Sequence, residues 1–154
     1  MTPVILTLQG EPTPFTHLVL DFTGTLSLDG DLLPGVDERL VALARDLDIV
    51  VLTADTFGKA REALRHLPVE VQIIRDGDHK AEVLSNMGPE GAIAIGNGRN
   101  DIPMMRVAGL GMAVLGPEGA ASELLAAAEV MTRDIRDALD LISNPLRLKA
   151  TLRN

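Results

Sequence analysis

The chain has 154 residues, 46% hydrophobic and 23% charged, with a formal charge of −8 and no cysteine. That length supports one sizeable core and is too short for two. The carboxylate excess argues against nucleic acid as the main partner, since Lys and Arg must neutralise its phosphates, and the missing cysteine excludes disulfides, thiol nucleophiles and iron–sulfur ligation.

In chain order, Val4–Leu8 is expected as an edge strand broken by Gly10–Pro14, and His17–Leu20 as a short buried strand ending at Asp21. Leu26–Leu33 reads as a hairpin, because Asp29-Gly30 accepts the positive backbone angles of a two-residue turn. Leu40, Leu43, Ala44 and Leu47 recur at helical spacing, and Ile49–Thr53 follows as a buried strand. Phe57, Ala60, Leu64 and Leu67 predict a helix with one apolar face. Val69–Ile74 is the next strand, and Asp78 is expected to cap a helix carrying Leu84 and Met87.

Ala92–Ile95 is a further strand, Asn100 or Asp101 opens a helix, and Gly111–Leu115 is another strand. A helix from Gly119 to Ala127, a strand at Glu129–Thr132 and a helix from Asp134 to Ile142 complete the alternation. Pro145 interrupts, and Leu146–Leu152 is expected as one or two last helical turns. Alternating strands and helices predict a three-layer α/β fold, Rossmann-like, with a mostly parallel sheet covered on both faces.

No apolar run is long enough to cross a bilayer, so no membrane association is expected. The start, MTPVILTLQGEP, lacks the basic flank and long apolar stretch of a secretion signal, so a cytoplasmic location is expected. Phe15, Phe22 and Phe57 are the only aromatics, too few for a platform that stacks single-stranded nucleic acid.

Parallel sheets bind ligands at the carboxyl ends of their strands, where the strand order reverses. The polar residues expected there are Asp21, Thr53, Lys80, Asn97, Asn100 and Asp101. Carboxylate and carbonyl oxygens suit magnesium, while lysine, a hydroxyl and loop amides suit phosphate oxygens. His17, His66 and His79 show no metal-ligand spacing, and Asp29-Gly30-Asp31 reads better as a turn than as a metal site. Asp55 is expected to cap the helix that follows it, and the lone GxG at Gly96–Gly98 is no dinucleotide signature.

Read as motifs, Asp21-Phe22-Thr23-Gly24-Thr25-Leu26-Ser27 resembles the first motif of the haloacid dehalogenase-like superfamily, in the form found in P-type ATPases. Leu52-Thr53-Ala54-Asp55 resembles the second motif, Lys80 the third-motif lysine, and Gly96-Asn97-Gly98-Arg99-Asn100-Asp101 the fourth. Four motifs in order, spanning roughly residues 15–143, place the likeness in the soluble, capless P-type-ATPase-like branch.

The resemblance implies that Asp21 is a nucleophile forming an aspartyl phosphate, and that Asp21, the Thr23 carbonyl, Asn97 and Asp101 hold Mg2+. It implies phosphate binding by Gly24, Thr53, the Ala54 N–H and Lys80, with Asn100 positioning the loop and Lys80. Two positions depart from the family pattern. Thr23 stands where phosphatases of this superfamily carry an acid/base aspartate, and Asn97 stands where a metal-binding aspartate is usual. Thr23 cannot act as a base at neutral pH, so a slow phosphohydrolase acting on a small phosphorylated substrate is expected. The alternative is a catalytically reduced phosphate-binding or regulatory protein.

The intervals Ser27–Ile49 and Asp55–Asp78 are too short for the inserted cap domains of this superfamily, so one uncapped domain over residues 1–154 is expected. An open site draws its specificity from a large substrate or a second subunit, which makes a homo-oligomer an expectation, carried by the hairpin or the Leu146–Leu152 tail.

Overall fold

The computed structural model describes residues 2–55 and 57–154. Ten strands and seven α-helices are present among them: β1 (Val4–Leu8), β2 (Glu11–Phe15), β3 (His17–Leu20), β4 (Ser27–Leu28), β5 (Asp31–Leu32), α1 (Val36–Leu43), β6 (Asp48–Thr53), α2 (Ala60–Leu64), β7 (Glu70–Ile73), α3 (Gly77–Ser85), β8 (Ala92–Gly96), α4 (Ile102–Val107), β9 (Leu110–Val114), α5 (Ser122–Ala127), β10 (Val130–Thr132), α6 (Ile135–Ser143) and α7 (Pro145–Leu152). Short 3₁₀ turns at Pro89–Gly91 and Arg99–Asp101 lead into β8 and α4.

Six strands form one sheet in the order β10-β9-β8-β3-β6-β7, and every neighbouring pair is parallel. The three-layer α/β expectation therefore holds. Strands β3, β6 and β8 are near-continuous apolar runs because both faces are covered. Leu18 and Leu20, Ile49 and Val51, and Ile93 and Ile95 face one cluster with α1, α2, α6, α7 and the β1–β2 ribbon. Val19, Val50, Leu52, Ala92 and Ala94 face the other, with α3, α4 and α5. On α6 the buried residues Ile135, Ala138, Leu139 and Ile142 follow helical spacing, and the Asp134 carboxylate caps it by accepting from the Arg136 N–H at 2.8 Å.

Four elements differ from the sequence reading. β1 pairs with β2 in a separate antiparallel ribbon rather than edging the main sheet, and Gly10–Pro14 continues the structure instead of ending it. The two-residue turn at Gln9-Gly10 makes Leu8–Glu11 the closing pair, so alternate pairs leave Pro12 and Pro14 at positions that owe the ladder no N–H. The helix expected from Phe57 shortens to α2, since Gly58 has a φ of +68°, which no helix accommodates; Phe57 lies outside it and is exposed. Asp76, not Asp78, caps α3: it is extended and accepts from the His79 N–H at 2.9 Å. The helix expected from Gly119 begins only at Ser122, after extended backbone at Ala121.

The β4–β5 hairpin forms at the expected turn, with Asp29 and Gly30 both at positive φ. Between Ser27 and Ile49 the chain holds only this hairpin and α1, and between Asp55 and Asp78 the described residues hold only α2 and β7, so no cap domain is inserted.

α3 stands against the Arg99–Asp101 turn at very close range. A Cβ on Gly77 would lie 2.6 Å from the Asn100 carbonyl oxygen, a contact with backbone that cannot swing aside. Gly77→Ala should push α3 outward, cost about 1–3 kcal/mol, and lower the thermal midpoint by about 2–4 °C for each of them. An unchanged midpoint would show that the two segments are free to separate.

Candidate active site

The sheet reverses its winding between β3 and β8, and both strands end beside one another there. Asp21 follows β3 and still donates its N–H to the Ile95 carbonyl on β8 at 3.0 Å. The chain then doubles back: the Phe22 carbonyl accepts from the N–H groups of Thr25 and Leu26 and from the Ser27 hydroxyl at 3.0 Å. Gly24, at φ +76°, makes that reversal without steric cost.

Three charged side chains meet under this loop. Lys80 Nζ, on the first turns of α3, donates to Asp21 Oδ1 at 2.8 Å and to Asp101 Oδ1 at 2.7 Å. Lys80 and Asp101 are fully buried, and Asp21 is 5% exposed. The other Asp101 oxygen accepts from the N–H groups of Asn97 and Gly98, at 3.1 and 3.0 Å, so it clamps the loop after β8. The Thr25 hydroxyl lies 3.1 Å from both Asp21 Oδ2 and Asn97 Oδ1.

Two negative charges against one positive leave the cluster at −1. Burial, and then the charge of Asp101, push the Asp21 carboxyl up to about 7, while the charge and hydrogen bonds of Lys80 and the Thr25 hydroxyl hold it back. Burial works against the Lys80 ammonium, yet the two carboxylates outweigh it and raise its pKa above the usual value. Such a carboxyl sits near half-protonation at neutral pH and becomes fully ionised once positive charge arrives beside it.

The other expected residues distribute as follows. Thr53 ends β6 buried, its hydroxyl accepting from the Asp55 N–H at 2.9 Å. Ala54 follows it, exposed. Asp55 is not the cap of α2, a place that Lys59 occupies, but its carboxylate reaches forward to accept from the Ala60 N–H at 2.9 Å, so it still holds the first turn. Thr23 is half-buried, on the backbone between Asp21 and Gly24. The Asn100 side chain is exposed and its backbone packs on Gly77 at the start of α3, while Lys80 is bonded directly to Asp21 and Asp101.

Sequence reasoning gave no role to Thr25, although its place four residues after Asp21 was the available signal. Nor did it find the segment 116–121, whose Gly119 carbonyl accepts from Asn97 Nδ2 at 2.9 Å. A hollow of about 640 Å³ lies at the opposite, amino-terminal ends of β3, β6 and β7, lined by His17, Asp48 and Glu70 among others, away from the buried charges.

Because the folded protein raises the pKa of Asp21, it binds that proton more tightly than the unfolded chain does. The associated stability is present below pH 3.8 and is lost as the pH climbs through about 7. Without divalent cations, Asp21→Asn should therefore be more stable than the parent at pH 8 by about 1–4 kcal/mol, with the gap closing toward pH 4. Parallel denaturant titrations across that range measure it; a gap independent of pH would mean Asp21 is ionised without strain.

Residues 48–138, more than half of the chain, match the family model of the haloacid dehalogenase-like hydrolases; the match starts at β6, after Asp21. An uncharacterized protein of Methanocaldococcus jannaschii is 50% identical over 62 residues, 40% of this chain and 67% of that protein. Among solved structures, the cobalt-bound deoxy-D-mannose-octulosonate 8-phosphate phosphatase of Haemophilus influenzae is similar at a TM-score of 0.71 and 16% identity, over 90% of this chain and 91% of that one. The 3-deoxy-D-manno-octulosonate 8-phosphate phosphatase of Moraxella catarrhalis, solved with magnesium, phosphate and its sugar, is similar at 0.68 and 18%, over the same shares. At those identities the structures share the fold with this chain. The family match together with that fold places the chain among the haloacid dehalogenase-like hydrolases.

Proposed function

We propose that the protein is a magnesium-dependent phosphohydrolase that works through a phosphorylated Asp21, slowly. The observation that supports it best is the buried Asp21–Lys80–Asp101 cluster at the sheet's reversal point, with Lys80 Nζ 2.8 Å from the Asp21 carboxylate. Buried charge is costly unless paired, and structural cores rarely keep it.

In this reading an Asp21 oxygen attacks the phosphorus of a small phosphomonoester or acyl phosphate. The phosphorus–oxygen bond to the leaving group breaks, the departing oxygen keeps the electron pair and takes a proton from solvent water, and the phosphoryl group rests on Asp21. Lys80, the Thr53 hydroxyl, the Ala54 N–H and the amides around Gly24 offset the charge on its oxygens, with Asn100 at the rim. Water then attacks the acyl phosphate, freeing phosphate and restoring the carboxylate.

The donor set suits magnesium, for it is made of hard oxygens: the Asp21 carboxylate, the Thr23 carbonyl and Asn97 Oδ1, with Asp101 behind through water. Among the described residues no three His, Cys, Asp or Glu side chains converge as a cage. That fits an ion held by few protein oxygens and completed by water and substrate phosphate. The bound ion would supply the positive charge that ionises Asp21 and neutralises the phosphate.

Thr23 governs the rate. Its hydroxyl offers no acid for the leaving oxygen and no base for the water, a loss of about two to four powers of ten. A long-lived acyl phosphate is the property that P-type ATPases need, which supports placing the chain near their soluble branch. The same feature favours a second reading, a catalytically reduced phosphate-binding or regulatory protein. We further propose that residues 1–154 act as one cytoplasmic domain on a free small-molecule substrate. No described helix is long and apolar enough to cross a membrane.

Hydrolysis of para-nitrophenyl phosphate with magnesium separates the readings. The parent should turn over slowly and Asp21→Asn should fall to background; equal rates would favour the binding protein. Thr23→Asp should accelerate turnover by about ten-fold or more if the acid/base is what limits it. A screen of phosphorylated metabolites, sugar phosphates included, would identify the substrate, and sedimentation would settle the expected homo-oligomer.

A further inference from the structure

Three polar groups of Asn97 are engaged outright, and the fourth, Oδ1, shares the single Thr25 hydroxyl proton with Asp21. Its N–H donates to Asp101 Oδ2 at 3.1 Å, and its carbonyl accepts from the Ala121 N–H at 2.8 Å. Its side-chain Nδ2 donates to the Gly119 carbonyl at 2.9 Å, while Oδ1 lies 3.1 Å from the Thr25 hydroxyl. The carbonyl of Gly119 fixes the orientation of the amide, since only the nitrogen can face it.

The packing around this amide is equally close. A Cβ on Gly24 would meet Asn97 Nδ2 at 2.5 Å, and a Cβ on Gly116 would meet the Gly24 carbonyl at 2.8 Å. Three segments that lie far apart in the chain, 21–25, 96–101 and 116–121, thus converge on one side chain. The amide is suited to this because it donates and accepts at once. A carboxylate in its place would set oxygen against the Gly119 carbonyl and add a second negative charge beside Asp21, with Lys80 already shared between two carboxylates.

We propose that Asn97 is a positioning residue that joins the Asp21 loop to the 116–121 strap by hydrogen bonding alone, so that the site is assembled before a cation arrives. An aspartate at this position would make the same assembly depend on the cation. The inference rests on the reading above that position 97 borders the ion. It deepens that reading by assigning the departure from the family pattern a purpose: affinity for the ion is exchanged for preorganisation.

The test compares the full-length parent, Asn97→Asp and Asn97→Ala, each in chelator and in excess magnesium chloride. Thermal midpoints and hydrogen exchange at the Ala121 amide are the readouts. The parent should keep its midpoint and Ala121 protection in chelator. Asn97→Asp should lose several degrees in chelator and exchange at Ala121 about ten-fold faster, and magnesium should restore both. Asn97→Ala should lose protection that magnesium does not restore, since it adds no ligand.

Three results would overturn the proposal: an Asn97→Asp protein that matches the parent in chelator, one destabilised equally with and without magnesium, and one unfolded in both conditions. The second and third outcomes describe a merely structural asparagine that a cation cannot replace. None of these readouts requires turnover. Failure to hydrolyse any phosphoester would strike the proposed function and leave this result standing.

Discussion

Two carboxylates and one ammonium share a volume that only Asp21 opens to water, and the rest of the site follows from how that charge is contained. Desolvating each ion costs several kcal/mol, and a single pair seldom repays it in full. Here one ammonium is bonded to both carboxylates, and the remaining Asp101 oxygen takes two loop amides. One negative charge stays uncompensated, and burial together with the charge of Asp101 raises the pKa of the Asp21 carboxyl. The protein thus keeps at its centre a carboxyl that is strained when ionised and relieved by incoming positive charge.

The sheet makes this containment possible by geometry alone. Parallel strands β3 and β8 lie in register, so their carboxyl ends deliver Asp21 and the Asn97–Asp101 loop to the same level. Lys80 arrives from a helix that follows β7 at the far edge, and it reaches the middle because α3 lies against the Arg99–Asp101 turn with only a glycine between them. The small side chains of Ala92 and Ala94 on that face leave room for α3 and α4. Close packing and charge placement are one feature here: loosening the first would weaken the second.

Much of this was legible in the sequence, because strands buried on both faces must be apolar throughout and their ends must be polar. HLVL, IVVLT and AIAI read plainly as strands, and Asp21, Lys80 and Asp101 came out together at one edge of the sheet. The misreadings share a local cause. Pro12 and Pro14 look like breakers until the register shows that their missing N–H groups fall on the unpaired side. Asp76 and Asp78 are both fitting caps, and only backbone geometry decides between them. The role of Asn97 was hidden for another reason. Compared with a family pattern it reads as a metal ligand weakened by the loss of its charge, and its partner, the Gly119 carbonyl, is a backbone atom that no side-chain motif records.

Access to the buried charges is shaped by the β4–β5 hairpin, whose two ends are held very differently. At its base, the buried Ser27 hydroxyl donates to the Phe22 carbonyl, and the Leu33 N–H donates to Leu26. At its tip, the Asp29 N–H donates to Glu118 at 3.1 Å, and Asp31 pairs with Lys59 at 3.3 Å, both in the open. Exposed pairs of this kind contribute about 0–1 kcal/mol each, so the tip releases at little cost while the base does not. Leu28 on the hairpin, together with Phe57 and Leu115 on the loops after β6 and β9, leaves exposed apolar surface on these segments. The rim above the buried charges is thus loosely held, while the floor beneath is fixed by Lys80 bonded to both carboxylates and by Asn97 bonded to the Gly119 carbonyl.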